Sequence, residues 1–489
     1  MTGHHGRVLR VSALIVAGSL VLVACGGSPS PSADALTGTA SSGGSFVLSE
    51  DDRSASPTVQ SPSPTVPTSE STAADPTTTS SAAPVPVSTS SPAPTPAAPA
   101  ATNGLVTAAD QAAAAAAVAA MSVEDRAGTV VMASSADAVG SDLVQRRHLG
   151  GVILMGSQGT IDGTSAGTPA QVAAVTAALQ AQVPAGQAGA PLLVATDQEY
   201  GLVTRMVNGF TDFPGADELG DITDTAAAVA ATEAVTTAAG RELRAVGVNV
   251  DFAPDADIAP RSGASGVAGR TFGSDPDRVG ELVGAAVRGY SAGGVAPTIK
   301  HFPGIGRLAA DTHVALPQLD SSCEEWNAAE AVPFRDGVAA GAPLVMTGHI
   351  RWPAAGASEL PTSLSRTVLT DLVHGSGTGG CQGLDFGGVA VSDSFEMAPV
   401  VEAYGKNEAP WRGIAAGQDL VLMPVDPDGA VDGIVAAAND GRLPAERLTE
   451  AATRVYALRL ALGRVPAPSL DVVDSAEHQA TAAQARSAG

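Results

Sequence analysis

The amino-acid sequence predicts a (β/α)8 TIM barrel, a closed ring of parallel strands each followed by a helix, as a single domain preceded by a disordered stalk. From about residue 104 onward, short runs rich in Val, Ile and Leu alternate with Ala-rich segments. This alternation is typical of a parallel sheet wrapped by helices. Eight such runs occur before the chain ends, which is the number of strands that this barrel needs.

The eight candidate strands follow one another at spacings that leave room for a helix between them. They are TVVMA at 129–133, GGVILM at 150–155, PLLVAT at 191–196, GVNVDFAP at 247–254, GVAPTIK at 294–300, PLVMTGH at 343–349, GGVAVSD at 387–393 and DLVLMP at 419–424. The last helix is predicted between Pro444 and Gly463, because Leu and Val side chains recur there along one helical face. We expect the barrel to occupy residues 104–465 and residues 466–489 to form a flexible tail.

The first 103 residues are predicted to lie outside the barrel. Residues 1–25 combine a short basic region with an apolar stretch that is too short to span a bilayer, as in a signal peptide. The small residues before Cys25 resemble a bacterial lipobox, which implies cleavage before Cys25 and a lipid on its thiol. An ordinary signal peptide with a chance cysteine is the alternative. Residues 26–103 are rich in Ser, Thr, Pro and Ala, and such a composition predicts a disordered linker.

The overall composition limits the kind of partner. A formal net charge of −24 argues against nucleic acid as a partner. Besides Cys25 the chain has Cys323 and Cys381, and in an exported protein these two are expected to form a disulfide, with two free thiols as the alternative.

Polar side chains stand where several of the candidate strands end. Asp197, Gln198 and Glu199 follow the third strand, Lys300 and His301 end the fifth, His349 ends the sixth, and Asp393 ends the seventh. Because the reactive side chains of such barrels lie at the C-terminal ends of strands, their coincidence there predicts a common site.

Five segments resemble motifs of glycoside hydrolase family 3, and within it the bacterial β-N-acetylglucosaminidases. The strongest are KHFPGIGRLAADTH at 300–313 and AVSDSFEM at 390–397. The weaker ones are DQEYGLVTR at 197–205, NVDFAPDADI at 249–258 and GRTFGSDP at 269–276, and they occur in the order found in the family. The resemblance extends over about residues 105–465 and implies a catalytic barrel.

The resemblance implies the reacting residues. Asp393 matches the carboxylate that attacks the anomeric carbon in retaining glycoside hydrolysis. His313 matches a loop histidine that serves as acid and then as base, and Asp311 is placed to orient its imidazole. A carboxylate that caps the following helix is the alternative for Asp393, and an ordinary surface histidine is the alternative for His313.

The resemblance also implies the residues that hold the non-reducing-end sugar. These are Asp197, Arg205, Arg270, Lys300 and His301. Charged side chains in a water-poor pocket can make several directed bonds to hydroxyl groups and to an N-acetyl carbonyl. For Arg270 the alternative is an ion pair with Asp275 that fixes its own loop.

This sequence departs from the family at two places. Tyr200, Gly201 and Leu202 stand where the family usually has Gly-Gly-Arg, and Ile305 occupies a position often held by His. We expect the phenol to reshape the floor of the pocket or the fold behind it. Neither departure touches the reacting residues, so specificity is expected to shift while the chemistry is retained.

Together these observations predict an exo-acting retaining β-N-acetylglucosaminidase, a lipid-anchored monomer on the outer face of the cell membrane, acting on peptidoglycan fragments or related glycans. A β-N-acetylglucosaminide phosphorylase and a β-glucosidase are the alternatives within the enzyme class, and a catalytically degenerate sugar-binding lipoprotein is the alternative outside it. No cofactor is implied. No metal site is predicted, since the other histidines, such as His148 and His374, lack ligand spacings.

Overall fold

The structure is a computed structural model that describes residues 104–157, 159–187, 189–259, 265–309, 312 and 315–489. The predicted signal peptide at 1–25, with Cys25, and the predicted linker at 26–103 lie outside the described residues. None of the helices in the described part combines the length and the apolar character that crossing a lipid bilayer requires.

A single sheet of eight parallel strands forms the centre of the fold. In chain order the strands are β1 (Val131–Ser134), β2 (Gly151–Ile153), β3 (Leu193–Thr196), β4 (Val250–Asp251), β5 (Ala296–Phe302), β6 (Leu344–Thr347), β7 (Val389–Ser392) and β8 (Val421–Leu422). Each strand from β1 to β6 pairs with the next, and β8 pairs with β1. A parallel bridge between Val391 and Leu420 joins β7 to the start of β8. The sheet therefore closes, and the predicted (β/α)8 barrel is confirmed.

The strands are apolar because both of their faces are covered. Every residue of β1, β2, β3 and β6 is buried. One face packs inside the barrel and the other packs against the surrounding helices, as in other parallel sheets. Polar side chains are consequently concentrated at the strand ends and in the loops that follow.

Helices surround the sheet. They are α1 (Ala108–Ala119), α2 (Val123–Thr129), α3 (Ser135–Ala138), α4 (Leu143–Arg147), α5 (Pro169–Gln180), α6 (Ala216–Gly220), α7 (Thr225–Ala245), α8 (Pro276–Gly293), α9 (Cys323–Ala328), α10 (Ala331–Ala339), α11 (Ala398–Tyr404), α12 (Glu408–Ala416), α13 (Pro427–Asn439), α14 (Ala445–Gly463) and α15 (Ala476–Ala488). Short 3-10 turns lie at Ala185–Gln187, Pro353–Ala355, Thr362–Leu364 and Leu470–Val472, and a π-helix spans Thr367–Val373.

Local sequence signals set the ends of these helices. In α8, the side chain of Asp275 accepts a hydrogen bond from the backbone N–H of Arg278, and Pro276 occupies the first turn. Gly294 ends the same helix with a φ of 89°, a conformation that glycine adopts without steric cost. The predicted last helix corresponds to α14, which Pro444 precedes.

A disulfide joins two loops on the outside of the barrel. Cys323 begins α9, between β5 and β6, and Cys381 lies in a hairpin between β6 and β7. The structure links their sulfur atoms, with a Cα–Cα distance of 4.5 Å. This is the pairing that the sequence predicted, and neither cysteine lines the sugar-sized cavity described below.

The structure differs from the prediction at residues 466–489. Instead of a flexible tail, this segment contains α15, which packs on α6 and α7. His478, Ala482 and Ala485 of this segment are buried. Ser475 precedes the helix and caps it, since its side chain accepts a hydrogen bond from the backbone N–H of His478. The C-terminal segment is thus packed onto the barrel.

Candidate active site

The C-terminal ends of the strands surround a cavity of about 610 Å³. The predicted catalytic and sugar-binding residues that the structure describes all line it, namely Asp197, Arg205, Arg270, Lys300, His301 and Asp393. They come from the ends of β5 and β7 and from the loops after β3 and β4. Asp311 and His313 lie outside the described residues. Thr312, the residue between them, is buried and lines the same cavity.

Asp393 follows β7 and has a fixed orientation. Its backbone N–H donates to the carbonyl oxygen of Thr347 at 2.9 Å, and its Oδ1 accepts from the backbone N–H of Ser394 at 2.8 Å. Burial raises the pKa of this carboxyl, but His301, His349, the backbone N–H of Ser394 and the Lys300 ammonium together outweigh burial and hold the pKa below its usual range. Asp393 is therefore ionised at neutral pH, as a carboxylate nucleophile must be.

His349 supports the loop after Asp393 and does not line the cavity. Its Nε2 lies 2.9 Å from the carbonyl oxygen of Ser394, so this nitrogen donates. Its Nδ1 lies 2.7 Å from the hydroxyl oxygen of Ser363 and forms a hydrogen bond with it. The predicted polar residue at the end of β6 is therefore a buried structural histidine.

A network of ion pairs forms the buried side of the cavity. The Lys300 ammonium lies 2.6 Å from Glu199 and 3.0 Å from Asp197. Arg270 makes a bidentate contact with Glu199, with both N···O distances 2.8 Å. Burial alone would raise the pKa of Glu199, but Lys300 and Arg270 lower it to about 2. Glu199 is thus a permanently charged counter-ion for two cations.

The ion pair of Arg270 corrects one alternative from the sequence. An ion pair with Asp275 was the other interpretation for Arg270, but Asp275 caps α8 instead. Arg270 reaches across to the loop after β3, where Glu199 lies, and comes within 3.8 Å of Asp255. It therefore joins the loops after β3 and β4 at the edge of the cavity.

Arg205 is less tightly held than the other two cations. Its guanidinium contacts the Gly156 carbonyl at 3.3 Å and Asp197 at 3.5 Å, both long distances for such bonds. Its Nε atom is buried and has no hydrogen-bond partner among the described residues. Because Nε is buried, a bound sugar would be contacted by the Nη groups of Arg205, whose present contacts are long.

His301 is oriented by Asp257. The Nδ1 atom of His301 lies 2.8 Å from Oδ2 of Asp257, and Oδ1 of Asp257 accepts from the backbone N–H of Ile305 at 2.6 Å. Burial lowers the pKa of His301 to about 4 and raises that of Asp257 to about 6. At neutral pH the carboxylate accepts the Nδ1–H bond and the imidazole is neutral. The remaining ring nitrogen, Nε2, is then an acceptor for a sugar hydroxyl.

Asp255, Asp257 and His301 also form the one described group whose ligand atoms, all within 4.8 Å of one another, could hold a metal ion. The sequence predicted no such group. Most of these atoms are already used, since Asp257 accepts two hydrogen bonds and Oδ1 of Asp255 accepts from the backbone of Asp257. The nearby guanidinium of Arg270 disfavours a further cation. The cluster is therefore better described as a hydrogen-bonded support for His301.

The rest of the cavity wall is apolar. Its side chains include Ile153, Met155, Val203, Val267, Ile305, Leu308, Met346, Met397, Leu422 and Met423. Ile305, the departure from the family pattern, is buried in this wall. Glu396 adds a carboxyl group to the lining, and burial together with Asp137 raises its pKa. The cavity thus combines a charged side with an apolar side, which suits an amphipathic sugar.

The other departure, at residues 200–202, lies outside the cavity. Tyr200 is buried behind the loop, with its ring edge-on to Phe213 at a centroid distance of 5.3 Å. Leu202 is 73% exposed on the outer side of the same loop, against Gly269. The phenol of Tyr200 was expected to reshape either the floor of the pocket or the fold behind it. The structure agrees with the second expectation.

The sequence placed Glu199 at a strand end but gave it no role in the site, and it did not single out Asp257. Glu199 follows Asp197 by two positions, and Asp257 belongs to the acidic run DFAPDAD after β4. The signal that could have found them is the presence of extra carboxylates beside predicted buried cations, since a buried Lys or Arg needs a counter-charge.

Comparison with known proteins agrees with this geometry. The chain matches the glycosyl hydrolase family 3 N-terminal domain over residues 122–458. Beta-hexosaminidase LpqI of Mycobacterium tuberculosis is 30% identical over 348 residues, covering 69% of this chain and 83% of that relative. Beta-hexosaminidase A of Pseudoalteromonas piscicida is 31% identical over 297 residues, or 58% of this chain, and the match spans only 47% of that longer relative.

Solved structures of enzymes with similar names also resemble this chain. A glycoside hydrolase family 3 β-N-acetylglucosaminidase from Paenibacillus superposes with a TM-score of 0.66 and 34% identity, covering 75% of this chain and 68% of that one. A β-N-acetylhexosaminidase from Beutenbergia cavernae gives a TM-score of 0.60 and 32% identity, covering 69% of this chain and 98% of that one. The barrel and these matches together place the chain in glycosyl hydrolase family 3.

Proposed function

We propose that this protein is an exo-acting retaining β-N-acetylglucosaminidase that removes terminal N-acetylglucosamine from peptidoglycan fragments or related glycans. The observation that carries the proposal is the ionised Asp393 in the same cavity as the sugar-binding network of Asp197, Lys300 and His301. The names of the relatives, beta-hexosaminidase and β-N-acetylglucosaminidase, support the substrate class.

The proposed reaction has two displacements. In the first, a carboxylate oxygen of Asp393 forms a bond to the anomeric carbon while the glycosidic C–O bond breaks, and His313 gives its proton to the leaving oxygen. In the second, His313 takes a proton from water, whose oxygen displaces Asp393 and restores the carboxylate. Asp197, Lys300 and His301 hold the terminal sugar at the buried end of the cavity, which favours attack on chain ends.

A direct test uses release of p-nitrophenol from its β-N-acetylglucosaminide. We expect the wild type to turn over and Asp393→Ala to lose at least about a thousandfold in kcat. Added azide should restore turnover in Asp393→Ala and give the α-glycosyl azide, because azide enters the space of the lost carboxylate. Asp320→Asn, at an exposed position, is the matched control. Equal activity of the wild type and Asp393→Ala would refute the proposal.

The identity of the acid and base has a separate test, since Glu396 is another carboxyl group in the cavity. We propose His313 for this role. His313→Ala should lose much less activity on the p-nitrophenyl substrate, whose leaving group needs no protonation, than on chitobiose. Glu396→Gln should show no such difference between the two substrates. The reverse pattern would assign proton transfer to Glu396.

Phosphorolysis is the second candidate reaction, and Arg205 is the observation that favours it. Arg205 lines the cavity, and its Nη groups make only long contacts, so they could donate hydrogen bonds to phosphate. The other cations of the cavity are already paired with carboxylates, and Asp393 and Glu396 would repel an anion. Product analysis with and without phosphate distinguishes the two reactions, because only phosphorolysis yields a sugar 1-phosphate. Sugar binding without turnover under either condition would instead indicate a degenerate binding protein.

We also propose that the protein is held at the outer face of the membrane by a lipid on Cys25. The support is the lipobox-like sequence before that residue. Metabolic labelling with a fatty acid, followed by detergent partitioning, should place the wild type in the detergent phase. Cys25→Ser should lose both the label and the partitioning; a variant that keeps both would exclude the proposal.

A further inference from the structure

The C-terminal helix α15 contacts the loop that carries three of the sugar-site residues. This loop, residues 197–215, connects β3 to α6 and includes Asp197, Glu199 and Arg205. It contains no helix, so its shape depends on what packs against it. Tyr200 has a φ of 64°, a region that costs a residue with a Cβ about 1–2 kcal/mol. Such a conformation persists only where the surroundings hold it.

One buried carboxylate joins this loop to the C-terminal segment. Glu242 of α7 is fully buried and accepts hydrogen bonds from both sides. From the loop, the backbone N–H and the hydroxyl of Thr211 donate at 3.0 and 2.5 Å. From the C-terminal segment, the backbone N–H of Asp474 donates at 3.0 Å and Nδ1 of His478 at 2.9 Å. Because a buried carboxylate requires such donors, the loop and the C-terminal segment stabilise each other through it.

A line of rings connects His478 to the sugar site. The His478 ring lies 6.2 Å from that of Phe213, and the Phe213 ring lies 5.3 Å from that of Tyr200. Tyr200 is the chain neighbour of Glu199, the counter-ion of Lys300 and Arg270. All three rings are buried, so loss of the His478 ring would remove one packing partner of Phe213.

A second contact holds the same loop from the far end of α15. The guanidinium of Arg486 donates to the carbonyl oxygen of Asp212 at 2.8 Å and pairs with its carboxylate at 3.1 Å. It also lies 3.3 Å from Glu218 of α6. Arg486 is partly exposed, so we assign most of the effect to the buried His478.

We propose that α15 is a positioning element of the active site, and that His478 is the positioning residue through which it fixes the loop 197–215. This proposal rests on the proposed function for its kinetic readout alone. His478 itself touches no residue that lines the cavity among those described, so it acts through Phe213, Tyr200 and Glu242. The part of the chain that the sequence predicted to be a free tail thus contributes to sugar binding.

The test uses substitutions in the full chain. His478→Ala removes both contacts. His478→Asn keeps a donor near the position of Nδ1 but loses the ring, whereas His478→Phe keeps the ring but leaves Glu242 one donor short. Glu477→Ala is the matched control, since its side chain is 78% exposed and lies 3.8 Å from Arg241, away from the loop.

Two readouts separate positioning from bulk stability. Hydrogen exchange of residues 197–215 is measured against that of the barrel strands, and KM is measured separately from kcat. For His478→Ala we expect exchange in this loop to accelerate about tenfold or more, KM and the inhibition constant of N-acetylglucosamine to rise about fivefold, and kcat to change less than about twofold. Recovery in His478→Asn or His478→Phe supports the proposal and shows which contact carries it.

Two results would overturn it. One is loop exchange and KM in His478→Ala equal to those of Glu477→Ala. The other is exchange that accelerates equally throughout the barrel, which would mean a role in stability alone. If His478→Ala does not fold, His478→Asn and His478→Phe replace it, because each removes one of the two contacts, and unchanged loop exchange in both would equally refute the proposal. A wild type without turnover would refute the proposed function, while the exchange measurement would still decide the positioning role.

Discussion

The Nδ1 atom of His301 and the Oδ2 atom of Asp257 lie 2.8 Å apart in a buried setting at the edge of the sugar cavity. This contact fixes the tautomer of His301, because the carboxylate requires a proton on Nδ1. Nε2 is then left as an acceptor at a position that a sugar hydroxyl can occupy. Asp257 does not line the cavity, but it determines whether Nε2 of His301, which does, accepts or donates a hydrogen bond.

We expect Asp257→Asn to lower kcat/KM by about a hundredfold. The new amide can donate to Nδ1, which favours a proton on Nε2 and converts the sugar-facing acceptor into a donor. Steady-state kinetics on p-nitrophenyl β-N-acetylglucosaminide measure the effect, and Asp320→Asn should match the wild type. A kcat/KM within about threefold of the wild type would contradict this role for Asp257.

Asp257 should also set an acidic limb in the pH dependence of kcat/KM. Its carboxyl has a pKa of about 6, raised by burial, so it is charged above that pH and protonated below it. His301, with a pKa of about 4, stays neutral across this range. As pH falls through about 6, the carboxylate that holds Nδ1–H is lost and kcat/KM should fall. A pH profile of Asp257→Asn should lack this limb; an unchanged limb would assign it to another group.

Glu199→Gln should destabilise the fold and weaken sugar binding. Because its folded pKa is about 2, below the ordinary value, Glu199 stabilises the protein above about pH 4.5, and this stability is lost as pH falls toward about 2. We expect the free energy of unfolding at about pH 7 to drop by about 3 kcal/mol. Urea unfolding measures the drop, which should shrink at about pH 3. A difference that persists undiminished at the lower pH would contradict the ion-pair explanation, and Glu477→Gln is the exposed control.

Tyr200→Phe should leave catalysis unchanged. The ring lies behind the loop against Phe213, and it does not line the cavity. We expect kcat and KM of Tyr200→Phe to stay within about twofold of the wild type, whereas Tyr200→Ala should lose about 3 kcal/mol of stability through the space it leaves. Kinetics together with thermal unfolding check both. A tenfold rise in KM for Tyr200→Phe at unchanged stability would place the hydroxyl in contact with the sugar.

The disulfide should stabilise the barrel without affecting turnover. Cys323 and Cys381 are separated by 58 residues, and closing a loop of that length is worth at most about 4 kcal/mol. We expect the double variant Cys323→Ser, Cys381→Ser to melt at a lower temperature than the oxidised wild type, with KM unchanged because neither residue lines the cavity. Equal melting temperatures of the wild type with and without reductant would show that the bond contributes nothing.

The parts of the fold that follow from local patterns could be predicted. Eight strands appear where runs of branched apolar residues occur, because both faces of a parallel strand are buried. The strand ends then bring Asp197, Lys300, His301 and Asp393 together without further information. Their positions depend on topology, which a regular alternation of strands and helices specifies well.

Pairings across long sequence distances could not be predicted in the same way. His478 lies in a polar, Ala-rich segment that resembles a free tail, and its burial depends on Glu242, which is 236 residues away. Likewise Asp257 is one of several acidic residues after β4, and only its distance from His301 shows what it does. Such contacts carry no local signal, because the partner that makes burial favourable is elsewhere in the chain.

Glu199 lies within 2.8 Å of both Lys300 and Arg270, so the protein itself neutralises most of the positive charge in the cavity. Dissolved anions therefore find little positive charge left to screen there. An uncharged N-acetylglucosamine unit should be processed at nearly the same rate from about 0.01 to about 1 M salt, whereas a glycan that bound through its own negative charge would lose affinity over that range. Because of these internal ion pairs, the salt dependence of the rate shows whether the site recognises an uncharged sugar unit or a charged part of a natural glycan.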